Sequence, residues 1–180
     1  MLALRYANPI GADPHLPSGL RLDRPTHQLG RLIPAAEDRV PFTLTGTDWP
    51  TRDGSGIRDY VHVWDLALAH VAALQRFDTL NGNTPFQAVN ISSGTATTGR
   101  ELAQAFQQAA GHTVALLEAT ARPGDVAGFS ADNSRAVGLL GWTPELSPTD
   151  AIRDAMRWRP VRNRVLGWTV MEPEPPSQAL

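Results

Sequence analysis

Residues 51–67, Thr-Arg-Asp-Gly-Ser-Gly-Ile-Arg-Asp-Tyr-Val-His-Val-Trp-Asp-Leu-Ala, constrain the fold more tightly than any other stretch of the chain. A turn-forming Asp53-Gly54-Ser55-Gly56 run leads into an alternating Val61-His62-Val63 segment, and then into an alanine- and leucine-rich helix. Glycines at 54 and 56 supply backbone angles that residues with a Cβ reach only at a cost. A turn so built can aim Arg58 into a cleft, where a planar guanidinium matches the geometry of phosphate oxygens. A tight turn with a surface arginine is the plain alternative. Asp65 is expected to cap the helix, which runs to Phe77.

The remaining punctuation places the other elements. Leu2 to Pro9 reads as a strand that begins abruptly, so further chain is expected upstream, and Pro9 ends it by forcing Asn8 out of helical geometry. Residues 10–26 read as a loop, Val40–Gly46 as a short strand with Pro41 at its start, and Phe86–Ile91 as another strand. Thr98 and Glu101 form a capping box that opens a helix burying Leu102, Ala105, Phe106 and Ala109, stopped at Gly111. Thr113–Glu118 is a further strand, and Arg122-Pro123-Gly124-Asp125 a proline-started turn. As a surface pair Arg122 and Asp125 would stabilise little; as a site, the cation takes phosphate and the carboxylate takes hydroxyl donors. A short helix follows, with its stop at Gly141 and a packing tryptophan, Trp142. Ser147 and Asp150 cap the last helix, which turns Ile152, Ala155 and Met156 inward. Residues 160–180 are expected to be a disordered, proline-rich tail.

Composition narrows the function. One hundred and eighty residues suit one domain, and a formal charge of -2 offers no footprint for nucleic acid. The sequence has no run of eighteen apolar residues and no signal-peptide layout at Met1–Arg5, so no membrane partner is expected. Cysteine is absent, which excludes thiol chemistry and fits a cytoplasmic protein. All sixteen basic residues are arginines, so no Schiff base can form and no lysine can assist a tyrosine. His62 and His70, eight apart across a strand-to-helix change, read as structural, and no metal site is expected.

The 53–67 run resembles the Asp-Gly-x-Gly-x-Arg-Asp-Tyr-x-His-Val-x-Asp-Leu-Ala signature of UDP-glucose 4-epimerases, members of the extended short-chain dehydrogenase/reductase superfamily. Other segments match in the same order over most of residues 2–158, and what they match is the C-terminal half of that enzyme. The fold implied is α/β: the C-terminal substrate-binding part, small sheets with flanking helices, most of the Rossmann domain missing. Residues 1–159 would be the nucleotide-sugar-binding portion, with 1–9 as the last strand segment of the dinucleotide-binding half.

The resemblance also implies roles. Asn8 would reach the UDP-sugar, and Ala7 stands where a phenylalanine packs near the nicotinamide. Thr43, Leu44 and Thr45 would make uridine-side contacts, a threonine standing where a phenylalanine is usual. Arg58 and Arg122 would hold the substrate's diphosphate and Asp125 its ribose hydroxyls, with Phe129 in place of a tyrosine. The Asn-Leu pair that touches uracil is absent from Thr26–Arg31.

Full-length members carry NAD on a glycine-rich βαβ unit and use a tyrosine base with a lysine four residues on. The tyrosine takes the 4-hydroxyl proton while hydride leaves C4, and hydride then returns to the other face of the keto sugar. Here Tyr6 and Tyr60 are followed four residues on by Ile10 and Trp64. The expectation is therefore a substrate-recognition half for UDP-glucose or UDP-galactose that binds no NAD and is inactive alone. The favoured explanation is a late-started or truncated reading frame whose full product is an ordinary NAD-dependent epimerase, with the missing N-terminal domain carrying NAD. Pairing with a separately encoded NAD-binding half, a non-catalytic UDP-sugar or partner-binding module, and a fragment of another nucleotide-sugar epimerase or dehydratase are the alternatives.

Overall fold

The computed structural model describes residues 1–82 and 86–168. In chain order the elements are β1 (Leu2–Tyr6), β2 (Asn8–Ile10), α1 (Gln28–Glu37), β3 (Phe42–Thr45), β4 (Ile57–His62), α2 (Val63–Gln75), α3 (Phe77–Asn81), β5 (Gln87–Ile91), β6 (Ala96–Thr98), α4 (Gly99–Ala110), β7 (Leu116–Ala119), α5 (Ser134–Leu140), α6 (Pro148–Trp158) and α7 (Arg162–Leu166). They form three small sheets with flanking helices, as the resemblance implied. β1 pairs with β5 and β3 with β7, both parallel, while β4 lies between parallel β2 and antiparallel β6.

β4 divides the interior. Its side chains alternate between two faces, so Tyr60 enters one core and Val61 the other. Tyr60 joins Ile10, Leu29, Leu32, Leu102, Phe106 and Ile152, where α1, α4 and α6 pack. Val61 joins Val89, Ile91, Leu140 and Trp142 around the β1–β5 sheet. Asp59, between them, is fully buried and satisfied: its carboxylate accepts the Ser93 amide and hydroxyl, both at 2.8 Å, and the Ala131 amide at 3.3 Å.

Several boundaries differ from the sequence expectation. The first strand is two: a turn at Ala7 sends Leu2–Tyr6 to β5 and Asn8–Ile10 to β4. Asp65 is not the cap of α2. His62 caps it through Nδ1, which accepts the Trp64 amide at 3.0 Å. Asp65, buried in the first turn, instead accepts the Glu145 and Leu146 amides at 3.1 and 2.9 Å and so ties α2 to the segment before α6. The expected tail is displaced as well: Arg162–Leu166 is helical, and Arg162 is buried against Asp23 at 2.6 Å and the Leu22 carbonyl at 3.1 Å. From residue 169 on, the expected tail lies outside the described residues.

α2 is apolar nearly all round. Ala69 and Ala73 are buried, while Leu68, Val71 and Leu74 form a ridge on the other side, Leu74 being 75% exposed. Among the described residues β1 pairs with β5 alone. The buried Ala69 and Ala73 of α2 share a core cluster with Val89 and Ile91 of β5.

Candidate nucleotide-sugar site

A cavity of about 800 Å³ opens between α1, β3, β4 and α6. The segment before α1, read from sequence as a free loop, is tied down as its wall. Trp158 donates its indole N–H to the Leu20 carbonyl at 2.9 Å, and a Cβ at Gly19 would strike that indole. Six arginines line the cavity (21, 31, 58, 122, 159 and 162) against two aspartates, Asp13 and Asp125. Arg159 and Arg162 are paired with Glu37 and Asp23. Arg58 has no carboxylate within ion-pair range among the described residues, so its charge is available to a ligand.

Arg58 stands on the cavity face of β4 because residues two apart on a strand share a face, here with Tyr60. Its Nη1 donates to its neighbour's carbonyl, Ile57 O, at 2.7 Å and to Val126 O at 3.4 Å. The Arg122–Asp125 turn is brought alongside by a close backbone contact. The Ile57 amide donates to Ala127 O at 2.7 Å, and Gly128 bridges to Ile57. A Cβ at Gly128 would lie 2.1 Å from Ile57 O, so no larger residue allows this approach. Within the turn, Arg122 Nε and Nη2 donate to the two Asp125 oxygens at 3.1 and 3.2 Å. The Arg122 side-chain and backbone donors, helped by the field of Arg58, hold the Asp125 carboxyl below the usual carboxylate range.

The residues singled out from sequence divide as follows. Asn8, Thr43, Leu44, Thr45, Arg58, Arg122 and Asp125 all line the cavity. Asn8 also donates to the Asp59 carbonyl at 3.1 Å, which fixes its amide. Thr43 and Thr45 share the half-buried face of β3, whereas Leu44 is buried in the core below. Ala7 and Phe129 do not line the cavity. Ala7 is buried, its amide donating to Ile91 O at 3.0 Å, and Phe129 is half-exposed beside Gly128.

Three of the lining residues that sequence reasoning did not assign to the site are Gln28, Tyr60 and Trp49. Gln28 bridges two elements: its Nε2 donates to Gly99 O at 2.6 Å and its Oε1 accepts the Tyr60 hydroxyl at 3.3 Å. Burial pushes that Tyr60 hydroxyl up to about 12. Trp49 is the third, on the loop between β3 and β4. Gln28 and Trp49 carried no spacing signal, since each depends on contacts made from a distant element, whereas Tyr60 belongs to the 53–67 run and shares the strand face of Arg58.

The loop 51–56 that leads into β4 is fastened to the start of α4. Thr98 caps α4, accepting the Glu101 amide at 3.1 Å, and donates its hydroxyl to Asp53 at 2.5 Å. Burial works to raise the Asp53 carboxyl, but hydrogen bonds from Thr98 and Ser55 outweigh it and hold it low. Arg52 pairs with Glu101 from outside. Away from the cavity, His62 Nε2 lies 3.3 Å from Asp154, and His70 is exposed with its ring 6.0 Å from that of Tyr6. Among the described residues no group of three or more His, Asp or Glu side chains could hold a metal. No helix among them is long and apolar enough to cross a membrane.

Similarity to known proteins agrees with this geometry. The chain is 38% identical over 163 residues to UDP-glucose 4-epimerase of Neisseria meningitidis serogroup B, covering 88% of this chain and 46% of that protein. It is 37% identical over 161 residues to the Bacillus subtilis UDP-glucose 4-epimerase, with 87% and 46% covered. The chain thus spans about half the length of the relatives it matches. Among solved structures, the Stenotrophomonas maltophila UDP-glucose-4-epimerase with bound NAD and formylated UDP-arabinopyranose superposes with a TM-score of 0.81 at 34% identity, covering 91% of this chain and 48% of that one. The Bifidobacterium longum UDP-glucose 4-epimerase in complex with NAD+ and UDP gives 0.76 at 30% identity, covering 88% and 47%. A family model, GDP-mannose 4,6 dehydratase, matches residues 21–155. On that match, the chain belongs to the GDP-mannose 4,6 dehydratase family of nucleotide-sugar epimerases and dehydratases.

Proposed function

We propose that this chain is the substrate-recognition half of a UDP-glucose 4-epimerase-like enzyme, binding a nucleotide diphosphate sugar but performing no epimerisation alone. The observation that carries the reading is the meeting of Arg58 with the Arg122–Asp125 turn at one edge of a cationic cavity, across the Gly128–Ile57 contact. Two guanidiniums for a diphosphate and one ionised carboxylate for ribose hydroxyls form a donor–acceptor set that suits a UDP-sugar, and solved relatives hold UDP or a UDP-sugar. Asn8, which lines the same cavity and donates its amide to the Asp59 carbonyl, is the residue we assign to the sugar hydroxyls.

The residues present do not fit NAD, which those relatives bind. The sequence has no Gly-x-Gly-x-x-Gly and no Tyr-x-x-x-Lys. Redox chemistry at C4 therefore requires a dinucleotide-binding half from elsewhere. The ridge of Leu68, Val71 and Leu74 and the open side of β1 favour such a partner, since a parallel sheet is ordinarily covered on both faces and extended at its edges.

The test is calorimetric titration of the purified chain with UDP-glucose, beside a coupled assay for UDP-galactose conversion with NAD added. Measurable binding that Arg58→Ala or Arg122→Ala weakens about tenfold or more, with no turnover, is the expected result. Affinity no better than millimolar would overturn the recognition role, and turnover by the lone chain would overturn its inactivity.

A further inference from the structure

We infer that Trp49 is the stacking wall for the nucleobase, a specificity-determining residue of the cavity; this rests on the nucleotide-sugar reading above. The ligand's direction is set along β4. Asn8 is level with Tyr60 in the β2–β4 pairing, Arg58 lies two residues before Tyr60, and Gly56 two before that. Sugar, diphosphate and nucleoside are therefore met in that order, and the nucleoside end falls beside Gly56.

Trp49 occupies that end. Its Cδ1 is 3.9 Å from where a Gly56 Cβ would stand. Its Nε1 is 2.4 Å from where a Gly46 Cβ would stand, so the indole rests on bare backbone just past the end of β3. The two cavity-facing side chains of that strand, Thr43 and Thr45, offer hydroxyls but no π surface. The indole is the aromatic surface adjoining both the strand and Arg58.

The ring is also held ready. Its backbone is fixed by the Trp49 amide donating to Gly54 O at 2.8 Å and by Thr51 donating to Trp49 O at 2.7 Å. The buried Trp142 and Trp158 donate their indole N–H groups to the Asp65 and Leu20 carbonyls at 2.9 Å. The Trp49 N–H has no hydrogen-bond partner among the described residues, and its ring is only half-buried. A ring anchored through its backbone and half-buried in the cavity wall offers a π face on which a planar heterocycle can stack.

Calorimetry on the 180-residue chain with two probes, UDP and inorganic pyrophosphate, separates the possibilities. Trp49→Ala should weaken UDP about tenfold, Trp49→Phe should keep most of the affinity, and neither should change pyrophosphate binding. UDP should also quench tryptophan emission in the wild-type chain and not in Trp49→Phe. Unchanged UDP affinity in Trp49→Ala would overturn the inference while leaving the recognition role intact. Equal loss for UDP and pyrophosphate would overturn it in favour of a loop that merely positions Arg58. If the wild-type chain bound neither probe, the nucleotide-sugar reading would fail and the inference with it.

Discussion

Arg122 and Asp125 are each other's partners, joined by two side-chain hydrogen bonds of 3.1 and 3.2 Å within one turn. A diphosphate arriving at this turn must therefore share or displace a carboxylate that already orders the arginine. Asp125→Ala removes both the ribose acceptor and the anchor of Arg122, and should weaken UDP-glucose about tenfold in a calorimetric titration. The thermal midpoint should stay where it is, because the Arg122 side chain is 59% exposed and such pairs add little to stability.

The same pairing gives the pH dependence its sign. Arg122 lowers the folded-state value of Asp125, so the favourable contribution is complete above the unfolded value of about 3.9 and is lost as pH falls through the lower folded one. Glu101 is held low in the same sense, chiefly by its hydrogen bond from Arg52. UDP-glucose affinity should be flat from neutrality down to about pH 5 and fall below about pH 4. The melting temperature should instead begin to decline below about pH 6.5, because burial holds His27, the cap of α1, below its ordinary value and the unfolded chain takes up that proton first. On the alkaline side Tyr60, raised to about 12 by burial, favours the fold fully below the free tyrosine value of about 10 and ceases to as pH rises through 12. Circular dichroism melts across the range check both limbs, and a midpoint that stayed constant from pH 7 down to pH 5 would contradict the His27 contribution.

Gly128→Ala should be the most damaging single change in the site. The new methyl would overlap Ile57 O, and the backbone there has φ +137°. A cost of at least about 1–3 kcal/mol is expected in urea unfolding, together with loss of UDP-glucose binding as the Arg122 turn moves off β4. Gly124→Ala is the comparison. Its φ is +85° but nothing lies within 4 Å, so strain alone, about 1 kcal/mol, should remain.

Thr98 serves two elements at once, as the cap of α4 and as a donor to Asp53. Thr98→Ala should lower stability by about 1–2 kcal/mol, and Thr98→Ser should recover most of it. Because Asp53 belongs to the loop that presents Arg58, the alanine variant should also bind UDP-glucose more weakly. Urea midpoints and titrations on the same preparations test both statements; full affinity in Thr98→Ala would mean the loop holds its shape without this link.

Local signals were legible in the sequence and distant ones were not. The Thr98–Glu101 and Ser147–Asp150 capping boxes form as written, and the helix stops at Gly111 and Gly141 take the left-handed conformation. Each is settled within four residues of chain. Asp65 was misread because a cap and a buried acceptor look alike until Glu145 and Leu146 arrive from eighty residues away. β6 is three residues long, too short to show a period, and exists because β4 offers it an edge. Within the site, Arg58, Arg122 and Asp125 stood out by charge and turn chemistry. Gln28, Trp49 and Gly128 gain their positions from Gly99, Gly46 and Ile57, partners that sequence spacing does not reveal.

The ridge on α2 bears on how long the chain lasts in a cell. Leu68, Val71 and Leu74 are side chains of the kind that holdase chaperones grip and that quality-control proteases select when they stay uncovered. Covering them would do more than complete an active site. It would set the lifetime of the chain, so that abundance follows the supply of whatever covers α2 even where the affinity of the cavity for its ligand is unchanged.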